Sequence, residues 1–136
     1  MKTTRRLIAT VVCLLLLGGC SGLQTNVKMK RFARTAEGYS KAIRWSEYDV
    51  AAQFVKGSNQ EDLLEDLTRL EDVRVTDYTV KNITTQKDDT EIAQIVEIKY
   101  YRSGVMIHKK KLIMEQWAYD QKEGQWYLTS RLPNLP

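Results

Sequence analysis

Cysteine, histidine and proline are almost missing from this chain, with two, one and two among 136 residues. Both cysteines, Cys13 and Cys20, fall within the first 20 residues. Beyond them no disulfide can form, no thiolate can hold a metal, and no thiol can act as a nucleophile. The single histidine, His108, has no carboxylate near it in sequence with which to build a metal centre. It reads as a solvated residue of a strand, and no metal site is expected. Glycine-rich phosphate loops, a Gly-x-Ser-x-Gly elbow and paired Cys-x-x-Cys spacings are also lacking, which removes the common nucleotide, hydrolase and zinc signatures. The longest apolar run, Leu7–Leu17, covers 11 residues and is broken by Thr10. A bilayer-crossing helix needs about 20.

That short run has company that gives it meaning. Lys2, Arg5 and Arg6 precede it with no acidic residue between them, and Gly18 and Gly19 follow it. A positive start, an apolar middle and small residues at the end are the three parts of a secretory signal. The pattern Leu17-Gly18-Gly19-Cys20 resembles the lipobox of bacterial lipoprotein precursors. The resemblance implies cleavage of the Gly19–Cys20 bond and a diacylglyceryl group on the Cys20 sulfur, with palmitate-type acylation of the new amine. Two or three acyl chains hold a protein stably at a membrane where one would not. Ser21 after the cysteine, in place of Asp, resembles the class sorted to the outer membrane. The expected location is therefore the periplasmic face of the outer membrane.

Cleavage would leave residues 20–136, enough for one domain with a core. The formal charge of +4 overstates the basic character, because residues 1–19 carry three positive charges and no negative one. The remainder sits near +1, too little for a nucleic-acid binder. The division expected is a signal peptide over 1–19, a lipidated and flexible tether over 20–30, one domain over 31–132 and a tail over 133–136.

Within that domain, Phe32, Ala36, Tyr39 and Ile43 recur at helical spacing, which predicts an amphipathic helix from about Met29 to Trp45. Gly38 weakens it by about 1 kcal/mol and permits close packing. Ser46 to Asp49 reads as a capped start of a second helix that runs to Gly57, and Ser58 to Glu61 as that of a third. Leu63, Leu64, Leu67 and Leu70 are its expected inward residues. After Glu71 the period becomes two. The first strand is expected over Val73–Ile83 with a bulge near Thr76-Asp77, and the second over Glu91–Arg102 with Ile92, Val96, Ile98 and Tyr100 on one face. A two-residue turn at Ser103-Gly104 leads into a third strand from Val105 to Tyr119, and the last covers Trp126–Ser130.

Helices followed by an antiparallel meander make an α+β domain with helices on one sheet face. The element order, and the break at Arg44-Trp45-Ser46-Glu47-Tyr48, resemble the nuclear-transport-factor-like, or cystatin-like, cone fold over about residues 30–131. The resemblance implies a curved four-stranded sheet wrapped around the first helix. Its enzymes use Asp–His or Asp–Tyr sets inside the cone. Here Tyr39, Tyr78, Tyr100 and Trp117 are the candidate pocket residues. No aspartate falls inward; Asp77, at the bulge, comes nearest. Arg44 beside Trp45 reads as a clamp on the neighbouring element. Lys109-Lys110-Lys111 can pair with Glu97 across the hairpin or face anionic headgroups. The expectation is a non-enzymatic, lipid-anchored accessory module that meets another envelope protein, without cofactor or nucleic acid. Binding of a small apolar or lipid-like ligand in the cone is the alternative, with lyase or isomerase activity less favoured.

Overall fold

The computed structural model describes residues 21–136, with side chains from residue 26 onward. Gly19 and Cys20, the expected cleavage and lipidation positions, lie outside the described residues, as does the signal segment. Three helices come first: α1 (Ser21–Arg44), α2 (Tyr48–Ala52) and α3 (Gln60–Leu70). Four strands follow: β1 (Val73–Gln86), β2 (Glu91–Arg102), β3 (Lys109–Asp120) and β4 (Gln125–Leu128). They form one antiparallel sheet in the order β1-β2-β3-β4. This is the α+β cone arrangement, with α1 packed against both β1 and β4.

The helix α1 is longer than its apolar stripe suggests. The flexible tether expected up to residue 30 is helical from Ser21. Tertiary contacts hold that first part: the Trp126 indole donates to the Lys28 carbonyl at 2.9 Å, Arg31 reaches the Gly124 carbonyl at 2.8 Å, and Met29 packs on the core. Phe32, Tyr39, Ala42 and Ile43 are buried, and Phe54 lies 3.2 Å from where a Cβ on Gly38 would be. The glycine lets α2's trailing segment come close.

Two caps differ from expectation. Ser46 does not cap α2. It takes a left-handed φ of 58°, and its hydroxyl accepts from the Val75 amide, tying the helix break to β1. Asn59, not Ser58, caps α3 by accepting from the Asp62 amide at 2.7 Å. Leu64 is exposed, contrary to the inward reading, whereas Asp66, two residues on and on the other side of the helix, is buried. Its carboxylate is held by Arg69 and Arg131, each at 2.7 Å. A buried charge is tolerable only with such partners. Arg44 and Trp45 clamp nothing among the described residues; Trp45 is 77% exposed.

The sheet curves because β1 carries two irregularities. One, between Val75 and Asp77, is the expected bulge; the second, between Val80 and Asn82, lies further along. Each adds a bend and extra twist. The β2–β3 connection is wider than a two-residue turn. The last pair is Tyr100 with Lys109, and the Ser103 amide is taken by the Asp72 carbonyl. Val105 to His108 therefore stay outside the ladder, and β3 starts at Lys109 rather than Val105. Glu97 pairs with Lys81, not with the lysine run. β4 stops at Leu128, since Thr129 and Ser130 bond to the Gln116 backbone instead. The last four residues are no free tail: Pro133 and Leu135 are buried, and Tyr100 donates to the Pro136 carbonyl at 3.0 Å.

Candidate functional site

The inner face of the sheet is set by alternation. In β2 it carries Ile92, Gln94, Val96, Ile98 and Tyr100, all buried. In β3 it carries Glu115 and Trp117. Register then places Tyr78 of β1 opposite Ile98, Val80 opposite Val96 and Ile83 opposite Gln94. These three also face inward.

Toward β3 and β4 the face is filled by aromatic rings. Tyr39 meets Trp117 edge-on at 5.4 Å, and Phe32 meets Trp117 at 5.8 Å and Trp126 at 5.3 Å. Such edge-to-face pairs add to the burial itself. Toward β1 the face is not covered. Val80 and Ile83 are 44% and 48% exposed although they point to the α1 side. With Met29, Phe32, Ala33 and Ala36 of α1 they line an open groove of about 430 Å³, apolar except for Glu37, Ser40, Tyr78 and Gln94. Other clefts are more polar. One of about 360 Å³ beside α2 is lined by Ser46, Glu47, Asp49 and Thr68.

Where the filled and open parts meet lies a buried polar cluster. The Tyr78 hydroxyl lies 2.8 and 2.7 Å from the two Glu115 carboxylate oxygens and donates to that carboxylate. Gln94 donates to the same carboxylate at 3.2 Å and to the Tyr78 oxygen at 3.3 Å. Burial pushes the Glu115 carboxyl up to about 7, against hydrogen bonding from Tyr78, Trp117 and Gln94 that favours the charged form. Burial, and then the neighbouring Glu115 charge, hold the Tyr78 phenol well above its ordinary range. It is a donor only. The Tyr39 phenol is raised for the same reasons, burial first. Its hydroxyl and the Trp117 indole N–H are buried without a hydrogen-bond partner of normal geometry among the described residues.

The four aromatic residues singled out in the sequence are thus divided. Tyr39 and Trp117 belong to the filled core, Tyr78 lines the groove, and Tyr100 stands apart with its hydroxyl on the C-terminal segment. Asp77 faces outward, bonded to Thr79 and 3.6 Å from Lys99. His108 is exposed in the loop before β3, its ring 5.3 Å from that of Tyr101. Sequence reasoning missed Gln94 and Glu115. The signal was present: each interrupts an apolar alternation, at Ile92-x-Gln94-x-Val96 and Ile113-x-Glu115-x-Trp117. Among the described residues no cluster of His, Cys, Asp or Glu is arranged to hold a metal, and no helix is long and apolar enough to cross a membrane.

No protein-family model matches the chain, and no curated protein matches it. Two solved structures are similar. A candidate polyketide cyclase from Xanthomonas campestris pv. campestris superposes with a TM-score of 0.46 and 14% identity, over 78% of this chain and 93% of that one. A SEC-C motif containing protein from Rhodopseudomonas palustris superposes with a TM-score of 0.51 and 11% identity, over 68% of this chain and 72% of that one. That likeness is one of fold alone.

Proposed function

We propose that this is an outer-membrane lipoprotein, held through acyl chains on Cys20, whose domain binds a small and mostly apolar molecule in the groove between α1 and β1. The carrying observation is the groove itself. Its volume of about 430 Å³ lies within the usual range for ligand sites, and its wall combines an apolar lining with four polar residues, Glu37, Ser40, Tyr78 and Gln94. Met29, Phe32, Ala33, Ala36, Val80 and Ile83 would take an acyl chain or similar body. Tyr78 and Gln94 would take a polar head. Met29 lies about 12 Å along the helix from Ser21, so a lipid anchor at Cys20 would keep the groove near membrane amphiphiles.

Binding without chemistry is supported by the ordering of the polar cluster. Glu115, whose carboxyl is raised to about 7, is 1% exposed and does not line the groove. The groove-lining Tyr78 keeps its proton. A general acid or base must reach the substrate directly or through one water. A protein partner is the second reading. It is favoured by Leu112 and Met114, which stand exposed side by side with Ile95 on the outer sheet face.

The test uses the purified chain in lipid nanodiscs and a diazirine-bearing tetradecanoate. Crosslinks should concentrate on peptides containing Met29–Ser40 and Val80–Ile83, and Ala33→Trp should reduce them about tenfold, equal to 1.4 kcal/mol. Crosslinks spread evenly over the surface, or indifferent to Ala33→Trp, would sink the groove reading. The anchor is tested separately: labelling with palmitate should vanish in Cys20→Ser, and labelling that persists rejects it.

A further inference from the structure

At the opposite end from the start of α1, the β2–β3 loop displays Val105, Met106 and Ile107, which are 61%, 62% and 60% exposed. Three consecutive apolar side chains held out in this way are unusual for a loop tip. The backbone is committed to the display. Val105 and Met106 amides both bond to the Arg102 carbonyl, and Met106 adopts a left-handed φ of 56°, a conformation uncommon for a residue with a long side chain. Strain at a well-held exposed site is a pointer to use.

The charge that follows the tip in sequence is of one sign. Between Ser103 and Leu112 there is no acidic residue, and Lys109, Lys110 and Lys111 follow immediately. None of these lysines has an aspartate or glutamate partner among the described residues. Lys109 and Lys111 donate to the carbonyls of Pro136 and Asn134, and Lys110 has no side-chain partner. The register even sets Lys110 directly opposite Lys99. Like charges so placed repel, and Asp77 offsets only Lys99. At the base of the loop, Arg102 is paired with Asp72. Trp45 is exposed at this same end, since its neighbour Ser46 is bonded to Val75, whose β2 partner is Tyr100.

We propose that this loop is a membrane wedge: Val105, Met106 and Ile107 enter the interfacial layer of an anionic phospholipid bilayer while Lys109–Lys111 lie on its headgroups. Apolar side chains beside a cationic cluster match the two components of such a surface, hydrocarbon below and negative charge above. A protein partner would also bury the apolar tip, but lysine is depleted from the centres of protein interfaces. The loop contact does not depend on acylation of Cys20. It lies at the far end of a helix about 36 Å long. With an anchor at one end and a wedge at the other, the domain would lie along the membrane rather than stand on it.

Two methionines exposed among the described residues make the test internal to one molecule. Met106 is on the tip, and Met114, 59% exposed, is on the outer sheet face. The purified chain is mixed with vesicles of phosphatidylcholine, with or without phosphatidylglycerol, and treated with hydrogen peroxide. Sulfoxide at each methionine is followed by mass spectrometry. Phosphatidylglycerol should slow oxidation of Met106 at least about fivefold and leave Met114 unchanged, and high salt should remove the protection. Ile107→Asp, at an exposed position that should leave the fold intact, should abolish it. Equal Met106 rates in the two vesicle types would overturn the proposal and leave the tip as a protein-facing surface. Equal protection of Met114 would also overturn it, because the contact would then be the sheet face.

Discussion

The same sheet face is sealed over β3 and β4 and open over the far half of β1. On the sealed side, Phe32, Tyr39, Trp117 and Trp126 interlock edge-to-face under α1. On the open side, Val80 and Ile83 carry the same inward orientation but stay about half exposed, with α1 only flanking the groove they line. The residues do not differ in kind, since both sets are apolar. What differs is the path of α1 relative to a sheet bent by two bulges. Large flat rings fill the space where helix and sheet approach, and small side chains at Ala33 and Ala36 leave it unfilled where they part. The contrast teaches that one apolar face can serve stability along part of its length and recognition along the rest.

The comparison can be broken most severely from the sealed side. Trp117→Ala removes a fully buried ring that contacts Phe32 and Tyr39. It should cost about 3–5 kcal/mol, read as a large fall in the denaturant midpoint. A loss under about 1 kcal/mol would mean the sealed half is not the core.

The boundary between the halves should respond to pH. Glu115 has its carboxyl raised from an ordinary 4.5 to about 7 in the folded state. A raised acid binds its proton more tightly when folded. Its contribution is therefore full below pH 4.5 and is lost as pH rises toward and through 7. The difference corresponds to about 3 kcal/mol. Glu115→Gln should flatten that part of the stability profile between pH 5 and 8 and gain most at the upper end. A profile that keeps its slope in the variant would show that Glu115 is not the titrating group.

The smallest effect belongs to the open side. Ile83→Ser, at a half-exposed inward position, should change stability by no more than about 0.5 kcal/mol while weakening capture of the fatty-acid probe. A large stability loss there would show that β1 is covered in solution and that the two regions are alike.

Much of the scaffold could be read from residue periodicity alone. The stripe Phe32, Ala36, Tyr39 and Ile43 lies on a helix that faces the sheet, and Ile92 to Tyr100 alternates as expected. The parity change after Val75 marks a real register shift. Local pattern failed where the partner of a polar group was remote. Ser46 has the sequence of a cap and serves instead as an acceptor for Val75. Residues 26–30 look polar enough for a tether, yet Trp126 and Gly124 fasten this end of α1 from about a hundred residues away. The Ser103-Gly104 pair has the composition of a tight turn, but Asp72 claims the Ser103 amide and the loop widens.

The amino-acid order by itself determined the helices-then-meander architecture, the lack of thiols beyond Cys20, and the apolar inner side of β2, because these depend on composition and on periods of 3.6 and 2. Only the tertiary structure decided that Glu115 meets Tyr78 and Gln94, that the cone is closed on one side and open on the other, and that three apolar residues stand out at a loop tip. Those outcomes depend on where a bent sheet and a long helix come together, and no local pattern encodes a distance between segments far apart in the chain.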